Sequence, residues 1–127
     1  MAVSNYQKLT VWQKAMDLAA EIYSLAKKLP KEELYSLSAQ MRRAAVSIPS
    51  NIAEGNGRQT EGEFQQFVRI ARGSAAELET QLLLCEKLEY LANTDINSAI
   101  NLLDEISKMT TALMRNSDKW RNRIAES

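Results

Sequence analysis

At 127 residues and 14.3 kDa the chain fits one domain and is too short for two ordinary ones. Its 45% hydrophobic and 25% charged residues are the balance of a soluble globular protein, and only four glycines and two prolines argue against a turn-rich β fold. Sixteen basic and sixteen acidic residues cancel, so nucleic-acid binding would need a local basic face. The absence of histidine excludes Ser-His-Asp and Cys-His catalysis, a haem histidine ligand and the common zinc sites.

Residues 1–9 read as a short N-terminal arm, residues 10–115 as the folded unit and residues 116–127 as a polar C-terminal tail. The first helix is expected from Thr10, with Thr10 and Gln13 at capping-box spacing. Trp12, Ala15, Met16, Ala19, Ile22, Tyr23, Ala26 and Leu29 recur at steps of three and four and mark its core face. Val11, Leu18 and Leu25 form a second stripe, wider than one core face needs, which points to a partner. Pro30 ends the helix, and Lys31-Glu32-Glu33 is expected to open the next at once, carboxylates near its positive end.

The second helix carries Leu34, Leu37, Met41, Ala44, Ala45, Ile48 and Ile52. Pro49 lies inside it, and an interior proline removes one hydrogen bond and clashes with the carbonyl four residues back. A kink is expected there, with Ser47 or Ser50 available to the freed carbonyl; a break into two helices at Ile48 is the alternative. Gly55-Asn56-Gly57 is expected to stop the helix, with Gly55 at the residue past the cap and positive φ open to both glycines.

Thr60 and Glu63 form a second capping-box pair, opening the longest helix. Phe64, Phe67, Ala71, Ala75, Leu78, Leu82, Cys85 and Leu88 or Glu89 keep its helical spacing. Gly73 with Ser74, Ala75 and Ala76 makes a patch of small side chains, read as the close approach of a neighbouring helix. Asn93-Thr94-Asp95 is a turn and cap. The fourth helix then presents Ile96, Ala99, Ile100, Leu103, Ile106, Thr110 and Leu113. In the tail, Trp120 and Ile124 have the spacing to prolong it. Four amphipathic helices with short loops predict an all-α, antiparallel up-down-up-down four-helix bundle, with helix 2 kinked at Pro49.

No apolar run is long enough to span a membrane, and the N-terminus has no signal-peptide pattern. Cys85 is the one cysteine, so no disulfide forms within the chain and a cytoplasmic, reducing setting is expected. Its place in the apolar seam reads as a buried thiol rather than a nucleophile. Glu77, Glu79, Glu86 and Glu89 read as a solvated face, because the di-iron bundles need Glu-x-x-His pairs that this chain lacks; no metal or cofactor is expected. Arg115, Lys119, Arg121 and Arg123 form a basic end, suited to the helix dipole or to contact with RNA or an acidic protein. Five arginines, Arg42, Arg43, Arg58, Arg69 and Arg72, gather on helices 2 and 3 and the loop between them. Guanidinium suits bidentate contacts to phosphate, or ion pairs with Glu54, Glu61, Glu63 or Glu77 within the chain or across subunits.

Val11-Trp12-Gln13-Lys14-Ala15, the segment from Gln40 through Arg58, Ile70-Ala71-Arg72-Gly73-Ser74, Glu77-Leu78-Glu79 and Gln81-Leu82 together resemble the bacterial four-helix-bundle proteins of the 23S rRNA intervening-sequence type. The resemblance spans roughly residues 6–115, with the arginine pair to the Ala-Glu-Gly triplet as its specific part. The family is similar in fold to the accessory variability proteins of diversity-generating retroelements, which bind nucleic acid. The resemblance implies a bundle assembled as a ring-like homopentamer, without enzymatic activity. Arg42, Arg43 and Arg58 are the RNA contacts it implies, with Arg69 and Arg72 as neighbours, while Ser47, Pro49, Asn51 and Glu54 are structural. A non-enzymatic, oligomeric protein associated with structured RNA is therefore expected. A scaffold that binds another protein and no nucleic acid is the alternative.

Overall fold

The computed structural model describes residues 2–116. Four α-helices make the bundle: α1 (Thr10–Ala26), α2 (Leu37–Asn56), α3 (Glu61–Lys87) and α4 (Asn93–Arg115). The chain is all-α among the described residues, with 3-10 turns at Ala2–Lys8 and Lys31–Glu33. Each helix packs on the next, and α4 returns to α1. Contacts between α2 and α3 run in opposite senses along the two helices. Met41 Sδ meets Cys85 Sγ at 3.7 Å, Ser47 Oγ meets Ser74 Oγ at 2.7 Å, and Gly55 lies against Phe67. The α1–α4 contacts do the same, through Lys14–Glu105 at 2.6 Å, Glu21–Ser98 at 3.2 Å and Lys28–Asp95 at 3.2 Å. Leu18, Ile22, Met41, Ile48, Leu78, Leu82, Ile96 and Ile106 fill the axis. At one end Phe64 and Val68 form a smaller cluster with Leu9, Leu113 and Met114.

The apolar stripe Val11, Leu18, Leu25 turns inward, where all three are buried. Met16 and Tyr23, assigned to the core face, are instead 45% and 44% exposed. The face is rotated because α1 is flanked by α2 and α4, whose closing core meets the Val11–Leu18–Leu25 side. Leu34 and Leu88 also lie outside the core, and Val68 is buried where Phe67 is only half-buried.

Several helix ends differ from expectation. Thr10 is the first helical residue rather than the cap; Leu9 holds that position, and the Gln13 amide donates to the Gln7 carbonyl at 2.8 Å. α1 stops at Ala26, whose carbonyl accepts from buried Ser38 Oγ at 3.3 Å. Lys31–Glu33 is a single 3-10 turn, and α2 begins only at Leu37. Glu33 secures that start. Its carboxylate accepts from Ser36 Oγ at 2.6 Å, the Leu37 amide at 3.4 Å and Tyr90 Oη at 2.9 Å. The Ser36 and Tyr90 bonds hold this carboxyl below its ordinary range, and the same bond holds the Tyr90 phenol above its own.

α2 continues through Pro49 as one helix. Ser47 Oγ is engaged with Ser74 across the α2–α3 seam and accepts from Asn51 Nδ2 at 2.9 Å. Gly55 stays inside α2, and no glycine among the described residues has positive φ. What Gly55 supplies is closeness: a Cβ there would stand 3.0 Å from Phe67 Cβ and 3.4 Å from the Phe64 carbonyl oxygen. Thr60 caps α3 as its spacing predicts. Its hydroxyl accepts from the Glu63 amide at 3.2 Å and donates to the Glu63 carboxylate at 2.9 Å. α3 ends at Lys87 without a glycine; Glu89, two residues beyond, takes the left-handed φ of 63°. Asp95 then accepts from the Ala92 amide at 2.8 Å; that bond first, and Lys28 second, hold its carboxyl low.

Candidate functional site

α2 and α3 carry the five arginines, but the bundle divides them. Arg42 and Arg43 lie on α2 beside α1. The Arg42 guanidinium sits 5.9 Å from the Tyr23 ring centroid and donates to the Leu34 carbonyl at 3.4 Å. With Tyr23, Ala39, Val46 and Ser47 the two arginines line an open groove of about 520 Å³ between α1 and α2. Arg69 and Arg72, one turn apart on α3, face α4. Arg69 Nη2 donates to Gln65 Oε1 at 3.3 Å, and Arg72 Nη1 to Met114 Sδ at 3.7 Å. They border a cleft of about 410 Å³ between α3 and α4, completed by Gly73, Ala75, Ala76, Glu79, Leu103, Asp104 and Ser107. Because α1 also touches α4 and α2 touches α3, the groove and the cleft open on opposite sides of the bundle.

Arg58 stands apart from both. It pairs with Glu54 at 3.0 Å and its guanidinium lies 4.6 Å from the Phe67 ring centroid. That stack covers the joint where Gly55 lets α2 and α3 close, and Arg58 reads as a structural cation. Among the described residues of one chain, the ion-pair reading holds for this arginine alone. Among the described residues, Arg42, Arg43, Arg69 and Arg72 have no carboxylate within 4.0 Å. The other three ion pairs among the described residues use lysines, at Lys14–Glu105, Lys28–Asp95 and Lys108–Asp104.

Four guanidinium groups with no ion pair among the described residues are local positive sites, although Arg42, Arg69 and Arg72 each already donate one hydrogen bond to a neutral acceptor. Such groups bind phosphate or carboxylate oxygens bidentately. The close approach expected at the small-residue patch occurs at Ser74, which meets Ser47 of α2 at 2.7 Å, and not at Gly73. Nothing lies within 4 Å of a Cβ built there, and the small residues Gly73, Ala75 and Ala76 instead hollow out the cleft. Its α4 wall, Leu103, Asp104 and Ser107, was not legible in the sequence, because the spacing along α4 does not say which of its residues face α3.

The remaining candidates are settled by burial and position. Cys85 is buried against Met41, and desolvation, with the Glu33 charge second, pushes its thiol up to about 11. A thiol held protonated in this way is a poor nucleophile. Glu77, Glu79 and Glu89 are exposed, and among the described residues no three acidic or cysteine side chains converge as a metal site. No helix among them is long and apolar enough to cross a membrane. Arg115 closes α4, whereas Lys119, Arg121, Arg123, Trp120 and Ile124 lie outside the described residues.

Comparison with known proteins brings this architecture into a named context. The sequence model of the 23S rRNA-intervening sequence protein matches residues 7–112. Among solved structures, a protein of unknown function from the S23 ribosomal protein family of Bacteroides thetaiotaomicron is similar, with a TM-score of 0.77 and 29% identity. The match covers 83% of this chain and 98% of that one. No curated protein matches the chain.

Proposed function

The chain belongs to the 23S rRNA-intervening sequence protein family, and on that premise we propose that it is a non-enzymatic, cytoplasmic homopentamer that associates with structured RNA through arginines of α2 and α3. The observation that carries this reading is the state of Arg42, Arg43, Arg69 and Arg72, which have no carboxylate partner among the described residues. Zero net charge does not weigh against it, because phosphate contact depends on the local field and each copy in a ring repeats both arginine pairs. Arg58, paired with Glu54, is not among the contacts. Exposed Met16, Leu83 and Leu84 supply apolar surface for the contacts between copies.

Fluorescence anisotropy with a structured 23S rRNA fragment tests the reading. Four phosphate contacts predict a loss of affinity of about 50- to 150-fold between about 50 and 200 mM salt. Arg42→Glu with Arg43→Glu, and Arg69→Glu with Arg72→Glu, are each expected to weaken binding and flatten that slope. Absence of binding at the lower salt, or affinity untouched by both double variants, overturns it. Native mass spectrometry tests the assembly, and a strictly monomeric mass of 14.3 kDa rejects the ring. The second reading, a scaffold for another protein, draws on Leu83 and Leu84 of α3 and Leu88 just past its end, all exposed. Binding of a protein partner that survives both arginine variants, with RNA binding absent, favours it.

A further inference from the structure

We propose that the α3–α4 cleft receives one unpaired nucleotide of the RNA, with its phosphate on Arg69 and Arg72 and the exocyclic amino group of its base, present on cytosine and missing from uracil, on Glu79. The inference rests on the RNA reading above and adds where the strand enters and which chemical edge its base presents.

Four observations carry it. The cleft holds about 410 Å³, within the range of small-ligand pockets and far too narrow for a duplex. Its charges are sorted along the helix axis. Arg69 and Arg72 stand at the end near Met114, and Glu79 lies two turns further along α3, about 10 Å from Arg72 at the helical rise. That spacing suits a phosphate at one end and a base edge at the other. Glu79, like the two arginines, has no oppositely charged partner within 4.0 Å among the described residues, whereas Asp104 on the far wall is already paired with Lys108 at 3.1 Å. Finally, the floor is a glycine in mid-helix. Alanine would favour the helix at Gly73 by about 1 kcal/mol, and nothing packs within 4 Å to require the smaller residue. Within the protomer, the effect of that glycine is to leave the space open.

The chemistry excludes one base. A carboxylate accepts from the exocyclic amino group of cytosine, adenine or guanine, while uracil presents a carbonyl oxygen where cytosine carries its amino group and is repelled. Recognition of unpaired bases by their exposed edges is the usual route to sequence preference in RNA binding.

The test uses the full chain and fluorescein-labelled oligo(C) and oligo(U) RNA at one salt concentration, read by anisotropy. Oligo(C) is expected to bind about tenfold more tightly than oligo(U). Gly73→Leu fills the cleft without changing charge and is expected to lower oligo(C) affinity about tenfold, with the helical circular dichroism retained. Ala76→Leu, on the same wall, is the second variant should Gly73→Leu fail to fold. Glu79→Ala is expected to equalise the two oligomers. Equal affinity for both in the native protein, or wild-type affinity in folded cleft-filled variants, overturns the proposal. If those variants bind normally while Arg69→Glu with Arg72→Glu abolishes binding, the cleft is wrong and the RNA reading stands. Absence of binding to these oligomers and to the structured fragment overturns both.

Discussion

Two glycines in long helices separate helix propensity from packing. Gly55 in α2 and Gly73 in α3 both occupy helix interiors with ordinary backbone, so each replacement by alanine gains about 1 kcal/mol of intrinsic propensity. At Gly73 the new methyl meets nothing within 4 Å, so the gain stands and the melting temperature rises by about 4 °C. At Gly55 the methyl would sit 3.0 Å from Phe67 Cβ and 3.4 Å from the Phe64 carbonyl oxygen. Neither neighbour can rotate aside, because a Cβ and a backbone oxygen move only with α3 itself. Relief requires α2 and α3 to separate by a few tenths of an ångström along a seam that includes the Ser47–Ser74 bond and the Met41–Cys85 contact. Overpacking of this kind costs about 1–3 kcal/mol. Gly55→Ala is therefore expected to melt about 4–12 °C below Gly73→Ala. Thermal denaturation of both variants, followed by circular dichroism and checked by urea midpoints, measures the difference. An equal rise at both positions would refute the reasoning, since α2 and α3 would then not be in the close contact described.

Other substitutions probe single features. Thr60→Ala removes the acceptor for the Glu63 amide and is expected to cost about 1 kcal/mol in urea denaturation. Glu89→Gly relieves a left-handed residue at φ 63° and is expected to raise stability by about 0.5–1 kcal/mol; a lower melting temperature would contradict this. Glu33, held low by Ser36 and then Tyr90, stabilises the fold above the unfolded carboxyl value near about pH 4.3, and that contribution fades as pH falls through its depressed folded value. Asp95 acts in the same direction, so urea midpoints should drop below pH 4.3, less steeply in Glu33→Gln. Cys85, buried and raised to about 11, is expected to react with a disulfide reagent at pH 8 only as fast as the protein opens, and at the rate of a free thiol once urea unfolds it.

The sequence by itself determined the number and type of the elements. Apolar residues at steps of three and four placed four helices, and Thr60 with Glu63 located the start of α3, because these signals act within one or two turns. Pro49 marked an interruption that α2 absorbs while staying continuous. What depends on neighbours was decided only by the tertiary structure. Val11, Leu18 and Leu25 go inward because α2 and α4 close over that side of α1, a fact absent from the spacing of α1 itself. Gly55 proved to be a contact point and Gly73 an open floor, although both are glycines in helical sequence and carry the same local signal. The five arginines form one group along the chain and separate in space, since the neighbours of α2 and α3 assign Arg42 and Arg43 to one groove, Arg69 and Arg72 to the opposite cleft, and Arg58 to Glu54. Helical periodicity fixes which residues share a face. Only the packing of the four helices decides what each face meets, and so which charges are left for a partner.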